Sequence, residues 1–477
     1  MHWNSVLSTP GAKYYTINLK DFFLMATLDD YEYLRIHISL IPVSFREAYK
    51  LDEIVDEKGY VYCEIRGGMY GLPQAGKLAH KDLMSRLTQH GYHPATFTPG
   101  LWVHESNGIT FTLVVDDFGI KYVSLKSLNH LINALNKYYT ITINREGDLY
   151  VGVSLEWHWN KMVKCSMPKY IPNLLKRLKN LSPIVSRDSP HPAPQIEYGT
   201  KIQTPIQDDD SPKLNQSGIT LVQSIVGAAL YIARIIDNTL LVTCNDIGRQ
   251  QSSATENTYH LCQYMLDYMA SHPNPSITFY KSDMQLWVVA DASYLSVPKE
   301  RSRIDGYHYL GPHHQPHIPL ADQRTFINAP IHVECSILKS VVGAASEAEI
   351  AASYVNARKA ILFRIALLEM GHPQATTPLE TDNDTAYGIL TSTIIPKRSK
   401  AIDMRFFWLR DRENQGQFKL YWCKGMDNLA DYFTKHHTIP YHQKIRKIYL
   451  SSCLIGAYQQ KDYSILRQIF PLYARVY

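Results

Sequence analysis

Two sets of acidic residues have the types and spacing to do chemistry. In FTLVVDDFGIKYV (111–123) an apolar strand-like run ends in Asp116 and Asp117, and a second strand-like run follows, which places the pair at or near a hairpin turn. Adjacent carboxylates at a strand end repel each other unless a cation lies beside them, as magnesium does in phosphoryl-transfer sites. Asp-Asp is equally good turn chemistry. The last third of the chain spreads four more acids over four elements. Asp291 ends the strand-like WVVADAS (287–293), and Glu349 lies near the start of a helix in ASEAEIAASYVNARKAILFRIALLEMGHP (345–373). Asp382 ends a strand in PLETDNDTA (378–386), and Asp431 falls in a helix in DNLADYFTK (427–435). Each has an ordinary role open to it. Ser346 with Glu349 fits a capping box, Asp382 could cap the next helix, Asp291 could sit in a turn, and Asp431 could complement a helix N-terminus.

Positioning such groups takes several cores, and 477 residues suit about two to four domains. Apolar content of 45%, charged content of 19% and 33 tyrosines describe a folded chain. Residues 1–165 alternate short strands with a helical stretch from Ala75 to Gln89, an α+β mixture. A Pro-rich segment at 183–218, carrying the acid run Asp208 to Asp210, reads as an extended linker inside a connecting region at 166–275. From Leu221 to His272 the pattern is helical. The segments ITFY, QLWVVADAS, DGYHYLG and IHVECSIL then read as strands before the long helix, an α/β signature for residues 276–440. His313, His314 and His317 lie in a Pro-rich insert without a second ligand pair at zinc-finger spacing, and read as a loop.

The net charge of +5 is too small over this length to argue for nucleic acid by itself. Its distribution is more telling: beyond the last clear motif the chain carries Lys435, Lys444, Arg446, Lys447, Lys461, Arg467 and Arg475 against the single acid Asp462, and all of these bases but Lys435 fall in a basic tail at 441–477. Such a tail suits phosphate contact or an ordinary solvated helix surface. Seven scattered cysteines with no C-x-x-C pair point to reduced thiols inside a cell, without separating a cytoplasmic particle from the nucleus. No run approaches the ~20 apolar residues of a membrane span, and the first residues lack a secretory pattern, so no membrane partner is expected.

GGMYGLPQAGKLAHKDL (67–83) runs from a Gly- and Pro-marked turn into a helix whose N-terminal amides could face a triphosphate. With VVDD following, the order resembles a copia-type reverse transcriptase. MYGLPQAG is similar to the loop and helix lining the incoming-nucleotide pocket, and VVDD to the hairpin of metal-binding aspartates, although an aromatic is more usual at Val114. The resemblance implies that Asp116 and Asp117 hold metal, that Asp21 lies near the triphosphate, that Phe23 excludes a ribose 2′-hydroxyl, and that Gln74 belongs to the nucleotide pocket. The family's third metal-binding aspartate corresponds, in TINLKDFFL (16–24), to Asn18. Asp21 does not easily substitute, because residues three apart in a strand point to opposite faces. The expectation is an impaired polymerase, which also lacks the preceding finger elements.

Beyond it, SMPKYIPNLLKRLKNL (166–181) resembles the passage into a thumb, with Lys169, Lys176, Arg177 and Lys179 open to a duplex backbone or to solvent, and QSIVGAALYIARIID (223–237) resembles the following connection. Asp291, Glu349, Asp382 and Asp431, in the order strand, helix, strand, helix, look like ribonuclease H, where four carboxylates converge on two magnesium ions. RSKAIDMRFFWLRDR (398–412) and NLADYFTK (428–435) resemble the corresponding end of copia-type polyproteins. The resemblance implies Glu349 in preference to Glu347, because the family pattern sets an alanine before the metal-binding glutamate and an apolar residue after it, as Ala348 and Ile350 do here. No histidine stands in the loop ahead of Asp431, where some ribonucleases H carry one.

The resemblance runs from about Tyr14 to about Tyr449 and implies a fold in series. A reverse-transcriptase palm and thumb fragment is followed by a helical connection and an α/β ribonuclease H-like domain. It implies two magnesium ions per centre, with an RNA–DNA hybrid and a primed RNA or DNA template as partners. The function implied is magnesium-dependent cleavage of RNA in hybrids. The alternatives are a decayed element copy that only binds nucleic acid, and an unrelated α/β hydrolase or nuclease.

Overall fold

β1 (Lys13–Leu19) follows the two-residue period of a strand: Tyr15, Ile17 and Leu19 enter a core, while Tyr14, Thr16 and Asn18 take the other face. In the computed structural model, which describes residues 1–178, 185–192, 209–318, 320, 327–391 and 404–450, this strand belongs to a unit spanning Gly11–Val151. β2 (Thr27–His37) and β3 (Tyr60–Gly67) form an antiparallel ribbon in that unit. β4 (Tyr92–Pro94), β5 (Leu101–His104), β6 (Thr110–Val114), β7 (Asp117–Tyr122) and β8 (Ile141–Asn144) join β1 in an antiparallel sheet of order β4-β5-β6-β7-β1-β8.

Two helices contribute to the same core. Ala75–Thr88 buries Ala75, Ala79, Leu83 and Leu87 at four-residue spacing, and Leu125–Asn136 buries Leu128, Leu131, Ala134 and Leu135. The unit closes just after β9 (Leu149–Tyr150), earlier than the boundary expected at 165. β10 (Val153–His158) and β11 (Met162–Ser166) form a hairpin, and β11 pairs in turn with β12 (Ser276–Tyr280), so they belong to the second unit. Long-range pairing of this kind carries no local signal.

The second unit comprises Met1–Pro10 and the chain from Gly152 onward. Its helices Gln216–Ile235, Leu241–Gln250 and Glu256–Ser271 occupy the stretch expected to be helical. Among the described residues Gln216–Ile235 is the one helix long and apolar enough, by length and composition, to cross a membrane, contrary to the reading of residue runs. Its Val222, Ile225, Val226, Ala229, Ile232 and Ala233 are buried within the unit, as in a core helix.

The main sheet of this unit is mixed. β13 (Gln285–Val297), β14 (Arg301–Gly311) and β15 (Pro330–Ile337) are antiparallel, whereas β16 (Thr377–Thr381) runs parallel to β13 and β17 (Phe418–Trp422) parallel to β16, giving the order β15-β14-β13-β16-β17. This is the α/β arrangement that the resemblance implies. The helix Ala345–Glu369 packs on β13 and β14. Close approach requires Gly306, where a Cβ would lie 1.8 Å from Asn356 Oδ1. Asn356 donates to the Asp305 carbonyl at 2.8 Å and its Oδ1 lies 2.8 Å from His308 Nε2, which locks helix to sheet.

Several local expectations are corrected. Asp291 lies inside β13, not at its end, because pairing with β14 continues through Ser293 and resumes at Val297 after an irregularity. Ser346 does not cap the long helix, whose N-cap is Ala344; Asn383, not Asp382, caps the helix Asp384–Leu390, accepting from Ala386 N. Asp431 opens a 3-10 turn, Asp431–Phe433, in place of an α-helix. His314 is a packing residue, with its ring nitrogens 3.1 Å from the Thr376 carbonyl and 2.7 Å from the Tyr421 hydroxyl. Arg446 is not free for phosphate, being 3.0 Å from the buried Asp237 carboxylate. Lys179, Asp208, Lys461, Asp462, Arg467, Arg475 and Cys453, the linker at 193–208 and the motif residues 398–403 lie outside the described residues.

Candidate active site

In the first unit, Val114 pairs with Asp117, leaving Val115 and Asp116 as a two-residue hairpin loop. Val115 takes φ of +58°, the sign such a loop needs at its first position, at a cost of about 1–3 kcal/mol for a β-branched residue. The Asp116 carbonyl accepts from Leu19 N at 3.0 Å, pinning the turn to the end of β1. Asn18 stands directly opposite Asp117 and donates from Nδ2 to its Oδ1 at 2.9 Å. Burial raises the Asp116 pKa and the Asp117 charge adds to this, while the Asn18 amide acts in the other direction.

Asp21 lies beyond the end of β1, in the left-handed region at φ +53°, so strand alternation does not govern it. It is exposed at the start of a 3-10 turn, Phe22–Met25. Phe23 packs edge-on against Tyr70 at 5.3 Å and under the glycine-rich segment: a Cβ on Gly68 would come within 2.1 Å of the Phe23 carbonyl oxygen. Gln74 donates to Glu32 Oε1 at 2.6 Å, which ties this segment to the β2–β3 ribbon.

In the second unit, Val288 pairs with Leu379 and Val289 with Glu380. Continuing that parallel register brings Asp382, just past β16, level with Asp291. Glu349, near the N-terminal end of the long helix, completes a group in which one carboxylate oxygen from each residue lies within 4.8 Å of the other two, the one such grouping among the described residues. Asp291 is 4% and Glu349 5% exposed. Glu347, by contrast, accepts from Gly343 N at 2.8 Å outside this group.

Neutral donors orient the three acids. Glu349 accepts from Ala292 N and Thr381 Oγ1, each at 3.3 Å, and Asn428 Nδ2 donates to Asp291 Oδ1 at 3.2 Å. Asn428 also bonds Asp382, while Trp422 Nε1 donates to the Asp382 carbonyl at 2.9 Å. Asp431 lies outside the tight group, with its Oδ1 2.6 Å from Lys435 Nζ, but its charge acts on all three acids.

Burial, then the charges of Glu349 and Asp382, push Asp291 well above the usual carboxylate range. Burial and Asp382 push Glu349 up to about 8, and burial raises Asp382 against the opposing bond from Asn428. Three carboxylates this close and this dry can ionise together only with a cation among them. Hard oxygen donors in this number fit a divalent ion.

Sequence reasoning assigned no role to Asn428 or Thr381, and read Lys435 as one of a run of basic residues rather than as the partner of Asp431. Of these, only Lys435 left a local trace, an Asp-to-Lys spacing of four. Asp305 was also missed; it faces Asp291 across β13 and β14 and is fully buried.

No family model matches the chain. The curated relatives are retrovirus-related Pol polyproteins of copia-type transposons. The polyprotein from transposon RE2 of Arabidopsis thaliana is 23% identical over 430 residues, covering 88% of this chain and 26% of the relative. That from transposon RE1 of the same plant is 24% identical over 427 residues, covering 88% and 26%. That from transposon TNT 1-94 of Nicotiana tabacum is 21% identical over 385 residues, covering 79% and 27%. The chain thus spans about a quarter of the length of the curated relatives it matches. Among solved structures, it is similar to a foamy viral protease-reverse transcriptase in complex with an RNA/DNA hybrid, at 12% identity and TM-score 0.42, over 89% of this chain and 46% of that one. It is also similar to the compost-derived LC11-RNase H1, at 10% identity and TM-score 0.23, over 31% and 92%.

Proposed function

We propose that this chain is a polymerase–nuclease portion of a copia-type transposon polyprotein whose surviving chemistry is cleavage of the RNA strand in an RNA–DNA hybrid. The observation that carries the reading is the convergence of Asp291, Glu349 and Asp382, from three separate elements, within 4.8 Å. Those three residues would hold magnesium, with Asp431 completing the set. Bound divalent ions would supply an activated water and charge stabilisation at the leaving 3′-oxygen. The protein's own part is positioning. Ala292 N and the Thr381 hydroxyl fix the Glu349 carboxylate, and Asn428 fixes Asp291 and Asp382. Until a cation arrives, burial lets Glu349 keep its proton near neutral pH. A hybrid would be recognised through groove shape and 2′-hydroxyls, independently of sequence.

Asp116, Asp117, Asp21, Phe23 and Gln74 form the nucleotide-transfer side of the proposal, and this centre is impaired. Where a third carboxylate would bridge cations, Asn18 directs an amide donor at Asp117, so the pair is held by a proton donor and the site lacks one negative charge. The test uses a hybrid labelled on its RNA strand in magnesium buffer. Wild type should cut the RNA, and Asp382→Asn should spare it. Equal cutting by both would assign the activity to a contaminant and remove the proposal.

A further inference from the structure

We propose that Lys435 is the built-in counter-ion of the second carboxylate centre: it neutralises Asp431 in the metal-free protein and must release it before a second divalent cation can bind there. This rests on the nuclease reading above.

The four acids are not held alike. Asp291, Glu349 and Asp382 are oriented by a backbone amide, a hydroxyl and an asparagine amide. Such neutral donors leave lone pairs open, so they can stay in place when a cation arrives. Asp431 alone is met by a full positive charge, with Lys435 Nζ 2.6 Å from its Oδ1. That distance is at the short end for a charge-assisted bond. An ammonium and a divalent ion cannot share one carboxylate oxygen without repelling each other, so occupancy there is an exchange.

The segment is built so that the side chain can move while its backbone stays fixed. Phe433 is fully buried and its carbonyl is met by the Cys335 thiol at 3.5 Å; Thr434, 2% exposed, donates from Oγ1 to the Asp431 carbonyl at 2.8 Å. Lys435 follows directly, with its side chain 52% exposed against 23% for Asp431. Its flexible stem can carry the ammonium into water without disturbing the turn. Pairs this exposed are worth at most about 1 kcal/mol, so the cation is held yet readily displaced. The ammonium also feels more than its direct partner, since the charges of Asp291 and Asp382 act on it together with that of Asp431. The two cation positions are therefore unequal. One is preformed by the tight group, and the other is coupled to the departure of Lys435.

The experiment is calorimetric titration of the full chain with magnesium and with manganese, for wild type, Lys435→Met, Lys435→Arg and Asp382→Asn. Wild type should show a tighter and a weaker class. Lys435→Met should tighten the weaker class by about fivefold and leave the tighter one unchanged. It should also lower the unfolding temperature in chelator, because the acids then lack their cation. Lys435→Arg, which keeps the charge, should resemble wild type. A weaker class that is unchanged or weakened in Lys435→Met, or a single class in both proteins, overturns the proposal. If Asp382→Asn abolishes the tighter class while Lys435→Met changes nothing, the counter-ion role falls and the metal-centre reading stands. If wild type takes up neither metal, both fall.

Discussion

Replacing Glu349 with glutamine should make the metal-free protein more stable at pH 8 while weakening it in magnesium. Glu349 is 5% exposed, and burial together with the Asp382 charge moves its pKa from 4.5 up to about 8. For an acid raised in the folded state, the associated stability is fully present below the unfolded pKa and is lost as pH rises through the folded one. Wild type in chelator should therefore weaken progressively from about pH 4.5 to pH 8. At pH 8 the loss traceable to this one carboxyl approaches about 4 kcal/mol, a ceiling that assumes a dry site. At about 2 °C per kcal/mol, Glu349→Gln would melt up to about 8 °C above wild type at pH 8 in chelator and close to it at pH 5. In saturating magnesium the order should reverse, because a cation that binds the folded state stabilises it by mass action and glutamine is the poorer ligand. Differential scanning fluorimetry at pH 5, 6.5 and 8, with chelator and with magnesium, provides the comparison. Buried acids remote from the cluster titrate in both proteins and cancel, so the difference between the two reports Glu349 together with the relief its neutralisation gives Asp291. No gain for Glu349→Gln at pH 8 in chelator would refute the picture of a strained carboxylate cluster awaiting a cation.

Two further changes probe buried charge elsewhere. Asn18→Asp should lower stability in chelator, where it exchanges a hydrogen bond to Asp117 for repulsion, and should raise magnesium-dependent extension of a primed RNA template by about 100-fold or more. Normal extension by wild type with no gain from the variant would reject the impairment. Asp305 is fully buried with no hydrogen-bond partner for either carboxylate oxygen among the described residues, apart from a contact with the Cys335 thiol, and burial holds its pKa well above the usual range. Stability tied to it is lost as pH rises, so Asp305→Asn should be near neutral at pH 5 and stabilising by about 1–3 kcal/mol at pH 9 in urea unfolding. A variant weaker than wild type at pH 9 would show that the carboxylate is paired in solution.

Much of the architecture was legible because it is local. ITFY, QLWVVADAS, DGYHYLG and IHVECSIL fall in β12, β13, β14 and β15, and the helix read over 345–373 runs Ala345–Glu369. Apolar runs bounded by turn residues and a helical period are properties of neighbouring residues. Element ends were less legible. Nothing near Asp291 announces that β13 continues to Val297, since that extension depends on β14 being present to pair with it.

By itself the sequence determined which residue types stand where: the Asp-Asp pair, the four later acids in their order of elements, and asparagine at position 18. Tertiary structure alone decided which of them meet. The β13 and β16 register brings Asp382 level with Asp291, and the packing of the long helix, which needs Gly306, delivers Glu349. Only the fold shows that Asn428, from a turn far along the chain, orients Asp291, and that Lys435 and not the acid cluster engages Asp431. The reason is physical. Propensity and period act over a few residues, whereas a buried cluster of like charges depends on contacts between distant segments, and it is the summed packing of those segments that offsets its cost.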